Sequence, residues 1–377
     1  MAGLGDTTAA MARMKRAAAE YAAQSGAVIA DSDGPKLRPT TGFGADPGEL
    51  KMLVYAPPGL GPGAPLVVAL HGCTQTAQGY AAGAGWMELS ERLGFVLLCP
   101  EQSASNNAQR CFNWFEPGDI ARGGGEAASI RAMIEHAIAL HRLDRRRVFV
   151  TGLSAGAAMA AVLLATYPEV FAGGAIVAGL PFGVAHGVQE ALAAMFQARP
   201  RSANDLGARV RAASPHRGPW PRVSVWHGDA DHTVQPLNLE ESVKQWTDLH
   251  GLSGASARVE KVGRDLRRSW AGADGQVLVE SHTIAGLGHG VPLATGDPDA
   301  IGVAGPFLLE AGVSSSLEIA RFWGLVEAAP HVASTHLAAA SEPTRAKAAP
   351  APDAARPHGV EAVIHKALKA AGLLKTD

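Results

Sequence analysis

The chain has 377 residues, 33 Lys+Arg against 35 Asp+Glu, a formal net charge of −2 and 47% hydrophobic residues. That apolar share excludes disorder throughout, and the absence of long like-charge runs excludes a phosphate-backbone or polybasic membrane footprint, so nucleic acid is not an expected partner. No apolar run reaches the ~18 residues of a membrane span and no secretory leader is legible, so the expected location is the cytoplasm.

In chain order, residues 1–48 begin with an Ala-rich helical pattern carrying Met11, Met14, Ala18 and Tyr21 at helical spacing. Residues 25–48, rich in Gly, Pro, Asp and Thr, read as irregular lead-in. From 49 to 327, short apolar runs at 50–55, 66–70, 95–99, 148–150, 175–177, 223–226 and 277–279 alternate with helical patterns such as 126–141. Leu66-Val67-Val68-Ala69-Leu70 is apolar on both faces. Strands of that kind predict an α/β fold, a mostly parallel central sheet covered by helices on both faces, with ligands beyond the strands' carboxyl ends. Residues 328–359 are Ala/Pro-rich and read as a linker. Residues 360–377 place Val360, Val363, Ile364, Ala367 and Leu368 on one face of a short amphipathic helix, a docking piece.

Gly152-Leu153-Ser154-Ala155-Gly156 fits G-x-S-x-G. Chance alone would supply about 0.3 such matches in a chain this rich in glycine, so the flanks decide. Arg147-Val148-Phe149-Val150 is a strand entering the motif, and 157–167 is a helix leaving it, closed by Pro168. This is the strand-to-helix turn that exposes a serine Oγ above a hydrolase sheet. Gly251-Leu252-Ser253-Gly254-Ala255 has no preceding strand and lacks the second spaced glycine, so it reads as a loop.

A serine hydroxyl needs a base to take its proton and an acid to orient that base, in the order Ser, Asp or Glu, His. After the 223–226 run comes His227-Gly228-Asp229-Ala230-Asp231-His232, with two candidate carboxylates. Asp231 is favoured, because Asp229 is nearer the strand end and suits turn stabilisation. Gly286-Leu287-Gly288-His289-Gly290 places His289 on a glycine-rich loop after the 277–279 run, making it the expected base; His282 is closer to the strand itself, and His227 and His232 lie in the acid's own loop and read as neighbours rather than the base. His136 and His141 do not share a helix face well, and neither a metal nor another cofactor is expected. The backbone N–H groups of Ala155 and of Cys73, in His71-Gly72-Cys73-Thr74-Gln75, are the expected oxyanion donors.

Together these residues resemble the polyhydroxybutyrate depolymerase family of esterases within the α/β-hydrolases, over about residues 50–326. The likeness is carried by Leu70-His71-Gly72-Cys73-Thr74-Gln75-Thr76, Pro100-Glu101-Gln102, Cys111-Phe112-Asn113-Trp114-Phe115 and Gly152-Leu153-Ser154-Ala155-Gly156-Ala157-Ala158-Met159. The resemblance implies Ser154 as nucleophile, Asp231 as acid, His289 as base and an ester, polymer or oligomer, as substrate. Relatives acting on feruloyl and acetyl esters supply the alternative reading; a non-catalytic binding or granule-associated protein is the alternative of another class. The resemblance also implies a disulfide between Cys73 and Cys111, which a reducing cytoplasm would oppose. Cys99 reads as a buried thiol. Residues 181–221 stand where this fold inserts a cap, and specificity is expected there. Trp114 first, then Phe115 and Trp226, are expected to offer apolar docking surface, whereas Trp86, Trp246, Trp270 and Trp323 read as packing residues.

Overall fold

In the computed structural model, which describes residues 36–296 and 300–326, β3 (Leu66–Leu70) sends Leu66, Val68 and Leu70 into one apolar layer and Val67 and Ala69 into the other. A strand with no face for water occupies the middle of a covered sheet. The same holds for β4 (Val96–Glu101), β5 (Val148–Leu153), β6 (Gly173–Val177) and β7 (Arg222–Gly228). With β10 (Val277–Ile284) they form a parallel centre in the order β4-β3-β5-β6-β7-β10. Antiparallel β2 (Lys51–Tyr55) and β1 (Arg38–Thr40) extend one side, and β9 (Asp265–Ala271) and β8 (Arg258–Val262) the other. The N-terminal helical pattern, the Ala/Pro-rich linker and the C-terminal amphipathic pattern lie outside the described residues.

One layer holds α4 (Gly125–His141), α5 (Ala155–Thr166), α7 (Ala203–Ala213) and α8 (Leu237–Leu249). The other holds α1 (Ala77–Gly83), α2 (Trp86–Leu93) and α9 (Ser315–Trp323). All 12 residues of α5 are buried, which its Ala-rich sequence permits by offering small side chains all round. Chain order reverses at β3, with β4 on one side and β5 on the other. The crevice beyond their carboxyl ends is where such sheets hold ligands. Short helices α3 (Pro117–Ile120) and α6 (Val188–Phe196), a single 3₁₀ turn at Pro168–Val170 and the strand pair β11 (Val291–Leu293) and β12 (Leu308–Glu310) complete the described elements.

Several elements differ from the sequence expectation. The lead-in is not wholly irregular, since Arg38–Thr40 pairs with Met52–Val54 as an edge strand that tolerates Pro39. The hairpin of β8 and β9 turns through Gly263 at φ +62 and Arg264, and β8 is largely exposed and charged, so it carries no apolar run. Finally, β10 continues to Ile284, which places His282 within the strand. Among the described residues no helix is long and apolar enough to cross a membrane.

Candidate active site

Ser154 joins β5 to α5 at φ 56 and ψ −117, a conformation that costs energy in any residue but glycine. The turn is held on both sides: Ser154 N–H donates to Val177 O at 3.0 Å, and Ala158 N–H donates to Ser154 O at 2.9 Å. The motif's glycines have a steric origin. A Cβ on Gly156 would fall 2.5 Å from His71 O and closer still to Leu70 O, and one on Gly152 would collide with the Gly156 backbone. The elbow is thus pressed against the carboxyl end of β3, and Ser154 keeps 8% of its surface exposed.

His289 Nε2 lies 2.9 Å from Ser154 Oγ, and His289 Nδ1 lies 2.7 Å from Asp231 Oδ2. The carboxylate accepts, so Nδ1 carries a proton, and in the neutral ring Nε2 offers its lone pair to the serine O–H. Asp231 is nearly fully buried, at 1% exposure. Its Oδ1 accepts from the Thr233 and Val234 amides at 2.8 and 2.9 Å, and its Oδ2 also meets His227 Nε2 at 3.2 Å. Burial pushes the Asp231 carboxyl up, but the bonds from His227 and His289 outweigh it and hold the group well below the usual carboxylate range.

Asp229 faces elsewhere. Its Oδ1 accepts from Gly286 N–H at 2.6 Å, its own N–H donates to Ile284 O at 3.1 Å, and Ala230 N–H donates to Leu287 O at 3.1 Å. These bonds staple the acid's loop to the loop of His289. Gly228 allows the approach, because a Cβ there would strike the Leu287 carbonyl. His232 is exposed, and His227 is the ring that reaches Asp231 from the far side.

Beyond β3, Gly72 N–H donates to Gln75 Oε1 at 2.9 Å and Thr74 N–H donates to Gln109 O at 2.6 Å, shaping the turn that carries Cys73. Cys73 and Cys111 are joined by a disulfide, while Cys99 is a buried free thiol whose ionisation burial opposes. Ala155 opens α5 on the other side of Ser154. Below the turn lies a buried polar network that the sequence reading missed. The Gln102 amide donates to His71 Nε2 at 3.1 Å and His71 Nδ1 donates to Gly72 O at 2.8 Å, so the ring is neutral, as its burial favours. Gln102 Nε2 donates to Cys111 O at 3.1 Å and to Glu126, whose other oxygen accepts from Asn113 N–H at 2.8 Å. Burial, foremost, pushes the Glu126 carboxyl up to about 8.

Two expected docking residues are corrected. Trp226 is wholly buried, stacks on His282 with ring centroids 3.6 Å apart and donates Nε1–H to Ser224 Oγ at 2.8 Å; it is core. Trp114 keeps only 6% exposure and packs edge-on against the partly exposed Phe115. Residues 181–221 leave β6 on the Ser154 side and carry α6 and α7. Gly187 N–H donates to Phe115 O at 2.8 Å, Gln235 N–H donates to Met195 O at 2.9 Å, and Asn238 Nδ2 donates to Ala194 O at 3.0 Å. The segment is therefore tied to both the Trp114 loop and the stretch following Asp231.

A family model described as Esterase PHB depolymerase matches residues 50–266. The chain is 44% identical over 292 residues to poly(3-hydroxyalkanoate) depolymerase C of Paucimonas lemoignei, covering 77% of this chain and 70% of that one. It is 34% identical over 261 residues to an acetylxylan esterase of Coprinopsis cinerea, covering 66% and 68%. The solved acetyl xylan esterase from Aspergillus awamori is similar at a TM-score of 0.65 and 25% identity, covering 77% of this chain and 99% of that one. The fold these share is the α/β-hydrolase fold, and the chemistry is ester hydrolysis. The chain belongs to the PHB depolymerase family of esterases, serine hydrolases that act on carboxylic ester bonds.

Proposed function

We propose that this esterase cleaves poly(3-hydroxybutyrate) or hydroxyalkanoate oligomers through an acyl-enzyme, with Ser154 as nucleophile, His289 as base and Asp231 as the orienting acid. The observation that carries the residue roles is the hydrogen-bonded run from Ser154 Oγ through His289 to Asp231 at a strained strand-to-helix turn. The polyester substrate is supported by the 44% identity to a poly(3-hydroxyalkanoate) depolymerase.

In this reading Ser154 Oγ attacks the ester carbonyl carbon as its proton passes to His289 Nε2. The Ala155 and Cys73 amides receive the oxyanion. The acyl C–O bond then breaks, and the His289 proton goes to the departing alcohol oxygen. Water, deprotonated by the same imidazole, attacks the acyl-serine and releases the acid and free Ser154. The buried network under Cys73 and the disulfide to Cys111 support a fixed oxyanion turn, and residues 181–221 act as the cap that shapes the substrate site. The disulfide also supports an oxidising compartment over the reducing cytoplasm.

The test is release of hydroxybutyrate from amorphous polymer beside hydrolysis of p-nitrophenyl butyrate, with Ser154→Ala as control. Both activities are expected, and the variant should lose on the order of 10⁶-fold in kcat. Near-full activity in Ser154→Ala would overturn the residue roles. A second reading, an acetylxylan esterase, is favoured by the Coprinopsis and Aspergillus likenesses. It prevails if acetylated xylan is turned over and polymer is not.

A further inference from the structure

The imidazole of His289 has an aromatic neighbour that no sequence motif announces. Phe307, in the loop before β12, meets it edge to face, with ring centroids 6.0 Å apart and planes at 77°. The backbone holds the ring there. Phe307 sits at φ +61, a region that bulky side chains rarely adopt, and strain of this kind gathers at functional sites. Its carbonyl accepts from Val291 N–H at 2.8 Å, and a Cβ on Gly290 would lie 2.7 Å from that same oxygen. Register pairing of Val291 with Leu308 continues the clamp. The residue is partly buried and packs on the edge of the apolar layer beneath it.

The chemistry gives that position a meaning. During acylation His289 Nε2 delivers its proton to the oxygen of the leaving alcohol, so this oxygen lies beside the imidazole. Whatever is attached to it must run along the surface adjoining the ring, and Phe307 supplies an apolar surface there. We propose that Phe307 is a specificity-determining residue for the alcohol half of the ester, favouring leaving groups whose carbon chain is long enough to lie on its ring. In a polyester that chain is the next hydroxyacyl unit. Methanol is too short to reach. The proposal rests on the roles of Ser154 and His289 given above.

The experiment holds the acyl group constant. Methyl butyrate, butyl butyrate and the butyrate ester of 3-hydroxybutyrate are compared for the full chain, Phe307→Ala and Phe307→Leu. Rates are expressed per site labelled by a small fluorophosphonate, which counts assembled Ser154. In Phe307→Ala, kcat/KM for the two longer alcohols is expected to fall about tenfold, at least fivefold more than for the methyl ester. Phe307→Leu, which keeps apolar bulk if the alanine variant does not fold, should lie between. Equal losses across all three alcohols, or no loss, would overturn the proposal. So would a change that follows acyl length in a parallel series of methyl esters. Absence of fluorophosphonate labelling in the unsubstituted chain would instead overturn the triad on which it rests.

Discussion

Gly156 lies two residues beyond Ser154, and its missing Cβ is what lets the elbow touch the Leu70 and His71 carbonyls. Backbone atoms at a strand end cannot yield as a flexible side chain would, so Gly156→Ala should cost about 3 kcal/mol or more in urea denaturation, or prevent folding. Gly288, adjacent to His289, has nothing within 4 Å of its would-be Cβ, and Gly288→Ala should change stability by less than about 1 kcal/mol in the same measurement. Ser154 and His289 were legible because their glycine-rich surroundings record local backbone demands. Asp231 needed chain order as well, and the structure supplies the distinction from Asp229, which bonds to Gly286 rather than to an imidazole. Other residues gave no such signal. Glu126 looks in sequence like an ordinary acid in a helix's first turn, and Phe307 like any apolar loop residue. Their meaning arises only when distant segments meet. Trp226 was misread because proximity in sequence to the acid's loop does not say which face of β7 a side chain takes.

At the scale of elements, the parallel strands declared themselves as apolar runs, whereas β8 and β9 did not, because β8 is largely exposed and charged and β9 buries little beyond Ser269 and Trp270. The connection that matters most for the site is covalent. Cys73 and Cys111, 38 residues apart, join the turn after β3 to the loop before α3. Loop-closure entropy gives a cross-link of that span a contribution of about 4 kcal/mol. The Cys73→Ser, Cys111→Ser double variant should therefore unfold at markedly lower urea concentration. Alkylation of the denatured, unreduced protein should label one thiol of the three, Cys99. Labelling of all three would show the bridge absent and remove the argument for an oxidising compartment.

For the molecule as a whole, two buried carboxyls give stability opposite dependences on pH. Glu126 ordinarily would titrate at 4.5 and is pushed up to about 8, chiefly by burial. Between those values the unfolded chain has released a proton that the folded chain retains, so stability falls as pH rises, by up to about 1.4 kcal/mol per pH unit. The contribution is complete below about 4.5 and gone above about 8. Asp231, held below its ordinary range, works the other way, and its contribution is lost only as pH falls through its lowered value. Urea titrations from about pH 5 to 8 should thus show a decline that Glu126→Gln flattens; an unchanged slope would assign the decline to other groups. The attachment of residues 181–221 carries a different consequence. At Phe115, Met195 and Ala194 the bonded group on at least one side, and at two of the three on both sides, is a main-chain amide or carbonyl, so these bonds do not depend on the side chains of α6. Descendants of one ancestor can exchange the outward-facing residues of that helix and keep these three bonds. Change on that surface is then open to a lineage by point substitution, without rebuilding the segment's attachment.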